Sequence, residues 1–107
     1  MFRAAACALI FAACATDAST GIDTATLTCP PDSTLSYETY GKLTIEQHCL
    51  SCHATKEKPR LNTVDDIRVN RNAILHAAVG TTRMPAGDDM PLPERELLGE
   101  WLACGAP

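Results

Sequence analysis

The chain has 107 residues, which is enough for one domain of ordinary size. Its net charge of −4 disfavours nucleic-acid binding, and its six cysteines are far more than an ordinary cytosolic protein carries. We therefore expect disulfides, metal or cofactor chemistry, or a lipid anchor.

The first segment is typical of an export signal. Arg3 precedes an apolar run, Ala4 to Ala13, which is too short to cross a bilayer but suits the core of a signal peptide. The run ends in Phe-Ala-Ala before Cys14, and this resembles the lipobox of bacterial lipoproteins, in which the cysteine is acylated and becomes the mature N-terminus. We expect 1–13 to be a signal peptide and Cys14 to anchor the protein in the bacterial cell envelope. Ordinary secretion and an uncleaved short anchor are the alternatives.

The next segment is small, polar and aperiodic. Its composition predicts that residues 14–28 form a flexible tether and that residues 29–107 form the folded domain. The aromatic residues of that domain are Tyr37, Tyr40 and Trp101. Because such a small domain has a thin core, we expect a flat, apolar group to supply part of its volume.

A helix is predicted over residues 36–49. Four residues form a stripe spaced by four, namely Tyr37, Gly41, Ile45 and Cys49. A glycine inside a helix costs about 1 kcal/mol relative to alanine. Gly41 therefore indicates the close approach of another element, with a merely tolerated glycine as the alternative.

The end of this helix carries a cofactor signature. Cys49, Cys52 and His53 form Cys-x-x-Cys-His, which is the attachment motif of c-type haem. In proteins with this motif the two thiols add to the haem vinyl groups and the histidine binds the iron. A zinc site needs four ligands where the stretch supplies three, and a thioredoxin-like dithiol needs a βαβ context that is not evident. We therefore expect one covalent haem c.

Two further helical regions follow. Thr63 and Asp66 form a capping-box pattern, and the apolar residues after them fit one or two helices, with a break near Asn70. Near the C-terminus, Pro93 suits the first turn of a helix and Gly105 suits its end. Three residues of that last helix share one face, namely Leu98, Trp101 and Leu102.

Together these features resemble class I c-type cytochromes of the small monohaem bacterial kind. Gly41 lies eight residues before the first motif cysteine, where this family places the crossing of its N- and C-terminal helices. The family's Leu-x-x-aromatic-Leu run, which packs against that glycine, is matched by Leu98, Trp101 and Leu102. The resemblance covers about residues 35–104. It implies an all-α, cytochrome c-like fold with three to four helices wrapped around one haem.

The resemblance also assigns roles to the loop after the motif. The family's Pro-x-Leu loop is matched by Pro59 and Leu61. The resemblance implies that the Pro59 carbonyl accepts a hydrogen bond from the ring of His53, which fixes the ring, and that Leu61 packs on the haem. An ordinary loop proline is the alternative.

A second axial ligand is expected from the loop before the last helix. Cytochromes c that carry electrons usually use a methionine there. Met84 lies just past the middle helical region, where the family places its ligand loop, so we expect Met84 to bind the iron. Met90, which lies almost at the start of the last helix, His76 and an open position are the alternatives.

Two cysteines remain after these assignments. Lipidation uses Cys14, cleavage of the signal removes Cys7, and the haem motif uses its own pair. In an oxidising compartment, Cys29 and Cys104 are then expected to form a disulfide. Two free thiols, or pairing with another chain, are the alternatives.

The resemblance implies an electron carrier and not an enzyme. With His53 and Met84 as ligands, the iron would cycle between Fe(III) and Fe(II), and the partners would be unidentified redox donor and acceptor proteins. We expect a periplasmic location with a membrane anchor at Cys14, and no nucleic-acid partner. A haem sensor or peroxidase-like enzyme with an open sixth site is one alternative, and a structural zinc-binding surface lipoprotein is another.

Overall fold

The computed structural model describes residues 18–107, so the predicted signal peptide and the lipidation of Cys14 lie outside the described residues. Within 18–107 the chain has five α-helices, two π-helical segments and no β-strand. The elements in chain order are π1 (Tyr37–Gly41), α1 (Lys42–His48), α2 (Leu50–His53), α3 (Val64–Val69), α4 (Arg71–Ile74), π2 (Leu75–Gly80) and α5 (Leu92–Ala103). The all-α class agrees with the prediction. No helix of this part of the chain has the length and hydropathy that a membrane span requires.

The helix predicted over residues 36–49 is present as π1 followed by α1. Ser36 caps its start by accepting a hydrogen bond from the Thr39 amide at 3.1 Å. Segment π1 then runs directly into α1. The backbone leaves helical geometry at Cys49, where φ is −124°, so α2 is a separate short helix. This division is one reason why the structure has more helices than the three to four expected.

The middle region has the predicted cap and the predicted break. The Thr63 hydroxyl accepts from the Asp66 amide at 3.1 Å, and the Thr63 amide donates to the Asp66 carboxylate at 3.2 Å, which completes the capping box. Helix α3 ends at Val69, and the side chain of the next residue, Asn70, donates to the Asp66 carbonyl at 2.8 Å. Helix α4 and π2 then continue to Gly80.

The last helix supplies the centre of the core. Pro93 lies in its first turn, and Gly105 follows its end with φ +92°, a backbone conformation that glycine adopts without strain. Leu98, Trp101 and Leu102 are fully buried on the predicted face. Among residues 18–107 the buried apolar core consists of Ile45, Leu61, Ile67, Ile74, Ala78, Val79, Met90, Leu98, Trp101, Leu102 and Ala106.

Helix α5 packs against the first helix at Gly41. A Cβ atom at Gly41 would overlap the indole ring of Trp101, so only glycine fits there without movement of the helices. The ring of Tyr37 stacks on the indole at a centroid distance of 6.4 Å, and Tyr40 meets it edge-on at 5.9 Å. This crossing fixes the helix that leads to Cys49.

Residues 18–28, which we name the N-terminal strap, are ordered against the domain. The Thr20 amide donates to the Gly80 carbonyl at 3.0 Å, and the Thr82 amide donates to the Ala18 carbonyl at 2.9 Å. These bonds lie beside an antiparallel bridge between the strap and the end of π2. These contacts involve residues of the segment 14–28, for which a flexible tether is expected.

Apolar contacts explain why the strap does not remain free. The side chains of Ile22 and Leu27 are partly buried and pack against the core. Leu27 lies close to Gly99 of α5, where an added Cβ would approach a Leu27 methyl to 3.2 Å. Burial of these two side chains offsets part of the conformational entropy that ordering the strap costs.

A disulfide joins the residue that follows the strap to the end of α5. Cys29 and Cys104 are bonded, with their Cα atoms 4.6 Å apart. Close by, the Ser33 hydroxyl donates to the Glu100 carboxylate at 2.7 Å. The N-terminal part of the domain is thereby attached to the C-terminal helix by a covalent bond and a hydrogen bond.

Candidate haem site

One helical turn carries the three motif side chains. The Cys49 amide donates to the Ile45 carbonyl at 2.9 Å, which continues the hydrogen bonding of α1. The Cys49 carbonyl accepts from the Cys52 amide at 3.2 Å and from the His53 amide at 2.9 Å. Cys49 and Cys52 are both free thiols, the first half-buried and the second exposed. Two thiols and an imidazole are therefore available for attachment and ligation on one short segment.

The environment of Cys49 is not that of a reactive thiolate. Burial raises the pKa of the Cys49 thiol to about 11, and the Asp88 carboxylate acts in the same direction. The thiol is therefore protonated at neutral pH. Catalytic and redox-active cysteines instead lie in electropositive surroundings that lower the pKa. This contrast disfavours the dithiol interpretation.

The ring of His53 is fixed by the loop that follows it. Its Nδ1 atom lies 2.7 Å from the Pro59 carbonyl oxygen. Because a carbonyl oxygen can only accept, Nδ1 is the donor, and the neutral ring in this tautomer has its lone pair on Nε2. Nε2 has no hydrogen-bond partner in the described part of the chain. A free Nε2 with a bonded Nδ1 is the state in which a histidine binds a metal.

The loop after the motif folds back onto it. The amides of Lys56 and Glu57 donate to the Cys52 carbonyl at 3.0 and 2.8 Å, and the Leu61 amide donates to the His53 carbonyl at 3.0 Å. The side chain of Leu61 is buried in the core. These bonds bring the Pro59 carbonyl to the His53 ring, as the resemblance implies.

The two candidate methionines differ in environment. Met90 is 2 % exposed and belongs to the core. Met84 is partly buried and packs against that core from its edge, as Cys49 also does. The Met84 amide donates to the Ala77 carbonyl at 2.9 Å, which holds its backbone to π2. His76, the third candidate, has an exposed side chain on π2.

Residues 81–90, which we name the methionine loop, contact the end of α1, the helix that leads to the Cys-x-x-Cys-His motif. The His48 Nδ1 atom lies 2.6 Å from an Asp88 carboxylate oxygen, and His48 Nε2 lies 3.5 Å from a Glu94 carboxylate oxygen. His48 directly precedes Cys49. Its partner Asp88 lies 40 positions further along the chain, so local sequence patterns do not indicate the pair. The pair brings the loop that carries Met84 next to the motif.

Sequence reasoning missed Arg95. Its residue exposure is 3 %, and its guanidinium donates to main-chain carbonyls of the methionine loop, including that of Met84 at 2.7 Å. A signal was present, because Arg95 precedes Leu98 by three positions and Leu102 by seven. It therefore shares the buried face of α5.

The donor atoms here are of the kinds that a covalently attached haem would need. Both thiols are free, the His53 Nε2 lone pair is available, and a thioether lies at the edge of the core that Cys49 also contacts. Among residues 18–107 the His, Cys, Asp and Glu side chains form no group of three or more that could hold a metal ion. A structural zinc site usually needs four such ligands, and no observation favours that alternative.

Comparison with family models, with curated proteins and with solved structures found no match to this chain. A functional assignment therefore depends on the side chains and contacts described above.

Proposed function

We propose that this chain is a small class I c-type cytochrome that carries single electrons in the bacterial cell envelope, attached to a membrane through Cys14. Haem c bound through Cys49 and Cys52 would supply Fe(III)/Fe(II) chemistry. The observation that carries the proposal is the hydrogen bond from His53 Nδ1 to the Pro59 carbonyl, on the same turn as two free thiols.

His53 has the role of first axial ligand in this proposal. The Pro59 carbonyl holds the proton on Nδ1 and so fixes the tautomer and the orientation of the ring. A hydrogen bond of this kind also makes Nε2 more basic, which strengthens its bond to a metal. The backbone bond between Leu61 and His53 keeps the carbonyl in place.

In this proposal Met84 would be the second protein ligand of the iron. The side chain of Met84 packs at the edge of the core, whereas the side chain of Met90 is buried within the core. A thioether ligand stabilises the reduced state and raises the reduction potential. Two protein ligands would leave no iron position for a substrate. This favours a carrier over a haem sensor or a peroxidase-like enzyme.

The first experiment tests covalent attachment. The full chain is expressed in a bacterium with haem-attachment machinery, and the mature protein is analysed by mass spectrometry and by its visible spectrum after denaturation. We expect one haem mass retained after denaturation. A double Cys49→Ser and Cys52→Ser variant should lose it, while the matched Cys29→Ser and Cys104→Ser variant should keep it. A folded, colourless mature protein without added mass would contradict the proposal.

The second experiment separates the two methionines. Met84→Ala is expected to abolish the weak far-red band of methionine-ligated ferric haem, to lower the reduction potential and to allow rapid binding of carbon monoxide to the reduced form. Met90→Ala should keep the band and instead destabilise the fold by about 2–5 kcal/mol, because it empties a core position. A parent protein that already binds carbon monoxide readily would support the alternative with an open sixth site.

A further inference from the structure

We propose that Arg95 is a positioning residue for Met84, whose guanidinium holds both ends of the methionine loop so that the thioether is presented to the iron. This inference rests on the proposed function. It concerns a residue that does not itself touch the iron.

The guanidinium contacts carbonyls from the start to the end of the loop. Nη1 lies 2.7 Å from the Ala78 carbonyl oxygen in π2, 3.2 Å from that of Thr81 and 2.7 Å from that of Met84. Nε lies 2.9 Å from the Met90 carbonyl oxygen. One planar, preorganised group therefore links the last turn before the loop, the candidate ligand and the end of the loop.

The charge of Arg95 has no carboxylate partner. It forms no ion pair within residues 18–107, and its partners are carbonyl dipoles. A buried charge is costly, and well-packed apolar side chains often replace buried charged groups without loss of stability. If the side chain at position 95 only had to fill space, an apolar residue would serve as well. An apolar residue could not, however, form the hydrogen bonds that the guanidinium makes to the loop carbonyls.

Both backbone groups of Met84 are fixed. Its amide donates to the Ala77 carbonyl, and its carbonyl accepts from Arg95. The position of the thioether then depends only on the side-chain torsions of Met84. Such preorganisation reduces the entropy lost when a ligand side chain binds. Without Arg95, the Met84 carbonyl and the two ends of the loop would lose the side chain that joins them.

The experiment compares two variants of the full, haem-containing protein. Arg95→Met removes the guanidinium but keeps an apolar stem, and Arg83→Met removes one positive charge at an exposed position next to Met84. The readouts are haem mass, the far-red band, the rate of carbon monoxide binding to the reduced form and amide hydrogen exchange at Met84.

We expect Arg95→Met to retain covalent haem but to lose most of the far-red band. Carbon monoxide binding and exchange at the Met84 amide should each become about tenfold faster or more, because a charge-assisted hydrogen bond is lost from the loop. Arg83→Met should match the parent in all four measurements. If both variants match the parent, the inference is overturned while the proposed function stands. If the parent lacks covalent haem, the proposed function has failed instead.

A lysine variant separates positioning from general stability. The ammonium of Arg95→Lys can reach fewer of the four carbonyls, so we expect an intermediate fraction of methionine ligation in a protein with parent-like helix content. If Arg95→Met and Arg95→Lys both fail to fold, or if Arg95→Lys folds with an unchanged far-red band, Arg95 is a stability residue and the inference is overturned.

Discussion

The indole of Trp101 occupies the space into which any side chain at Gly41 would extend. Trp101 is 0 % exposed, and the two tyrosines of the first helix pack against it. A glycine that is unfavourable within an isolated helix is thus required by the packing of two helices. This contact joins the helix that leads to the haem motif to the helix that carries Arg95.

Gly41→Ala is expected to destabilise the protein. Alanine favours the helix by about 1 kcal/mol, but overpacking against a fixed ring typically costs about 1–3 kcal/mol. The free energy of unfolding, measured by denaturant titration of the haem-containing protein, should fall. Lys42→Ala, at the next and exposed position, is the control and should change little. An equal or higher stability of Gly41→Ala would show that the helices cross elsewhere.

Removal of the disulfide is expected to cost stability without loss of haem. Cys29 and Cys104 are separated by 75 positions, and closing such a loop stabilises by about 4.5 kcal/mol in the chain-entropy description. The double serine variant should unfold at a lower denaturant concentration and keep its visible spectrum. Non-reducing digestion of the parent should yield one peptide pair that contains both cysteines. Two alkylatable thiols at these positions would contradict the structure.

The N-terminal strap is expected to show slow amide exchange. The Thr20 amide of the strap donates to the Gly80 carbonyl, and the Thr82 amide donates to the Ala18 carbonyl of the strap. The side chains of Ile22 and Leu27 pack against the core. Leu27→Ala should accelerate exchange at both amides, since it removes an apolar contact that orders the strap. Thr28→Ala, at an exposed position, is the control. If these two amides in the parent exchanged as fast as those of an unstructured peptide, the result would support a flexible tether.

Tyr40 is expected to make stability sensitive to alkaline pH. Burial raises its pKa from 10.0 to about 12, the Glu94 and Glu100 carboxylates act in the same direction, and the Thr44 side chain opposes them. The Tyr40 hydroxyl is buried and makes no hydrogen bond of ordinary geometry among the described residues, although the nearby Thr44 side chain partly stabilises the ionised form. The neutral form is therefore favoured in the folded state. Its contribution to stability is complete below about pH 10 and is lost as the pH rises through about 12.

Tyr40→Phe tests this dependence. The variant cannot ionise, so its free energy of unfolding should fall less than that of the parent between about pH 10 and pH 12. At neutral pH it should be as stable as the parent, or more stable by up to about 1 kcal/mol, because an unpaired hydroxyl is removed. Denaturant titrations at several pH values, with a tyrosinate absorbance titration, measure both effects. Identical pH profiles would show that Tyr40 does not titrate in this window.

Local signals predicted much of the fold. The capping box at Thr63, the break at Asn70 and the helix end at Gly105 each depend on residues within a few positions of one another. The resemblance added two longer contacts, from Gly41 to Trp101 and from His53 to Pro59, and both are present in the structure.

Contacts between distant residues were not predictable in this way. The pair of His48 with Asp88 joins positions 40 apart. The strap is polar by composition, and its order depends on acceptors at the end of π2 and on two apolar side chains without periodicity. Arg95 was visible as a charge on an apolar face, but its carbonyl partners are defined only once the loop has folded.

Between residues 18 and 107, two cysteines are bonded to each other and two are free. Four cysteines allow three complete pairings, and a bond between Cys49 and Cys52 would close a small ring whose sulfurs could no longer add to vinyl groups. If the proposal holds, biogenesis has to oxidise one pair and keep the other reduced in the same compartment. A strain that lacks reductants for the haem-motif thiols should therefore accumulate a doubly bridged, colourless protein.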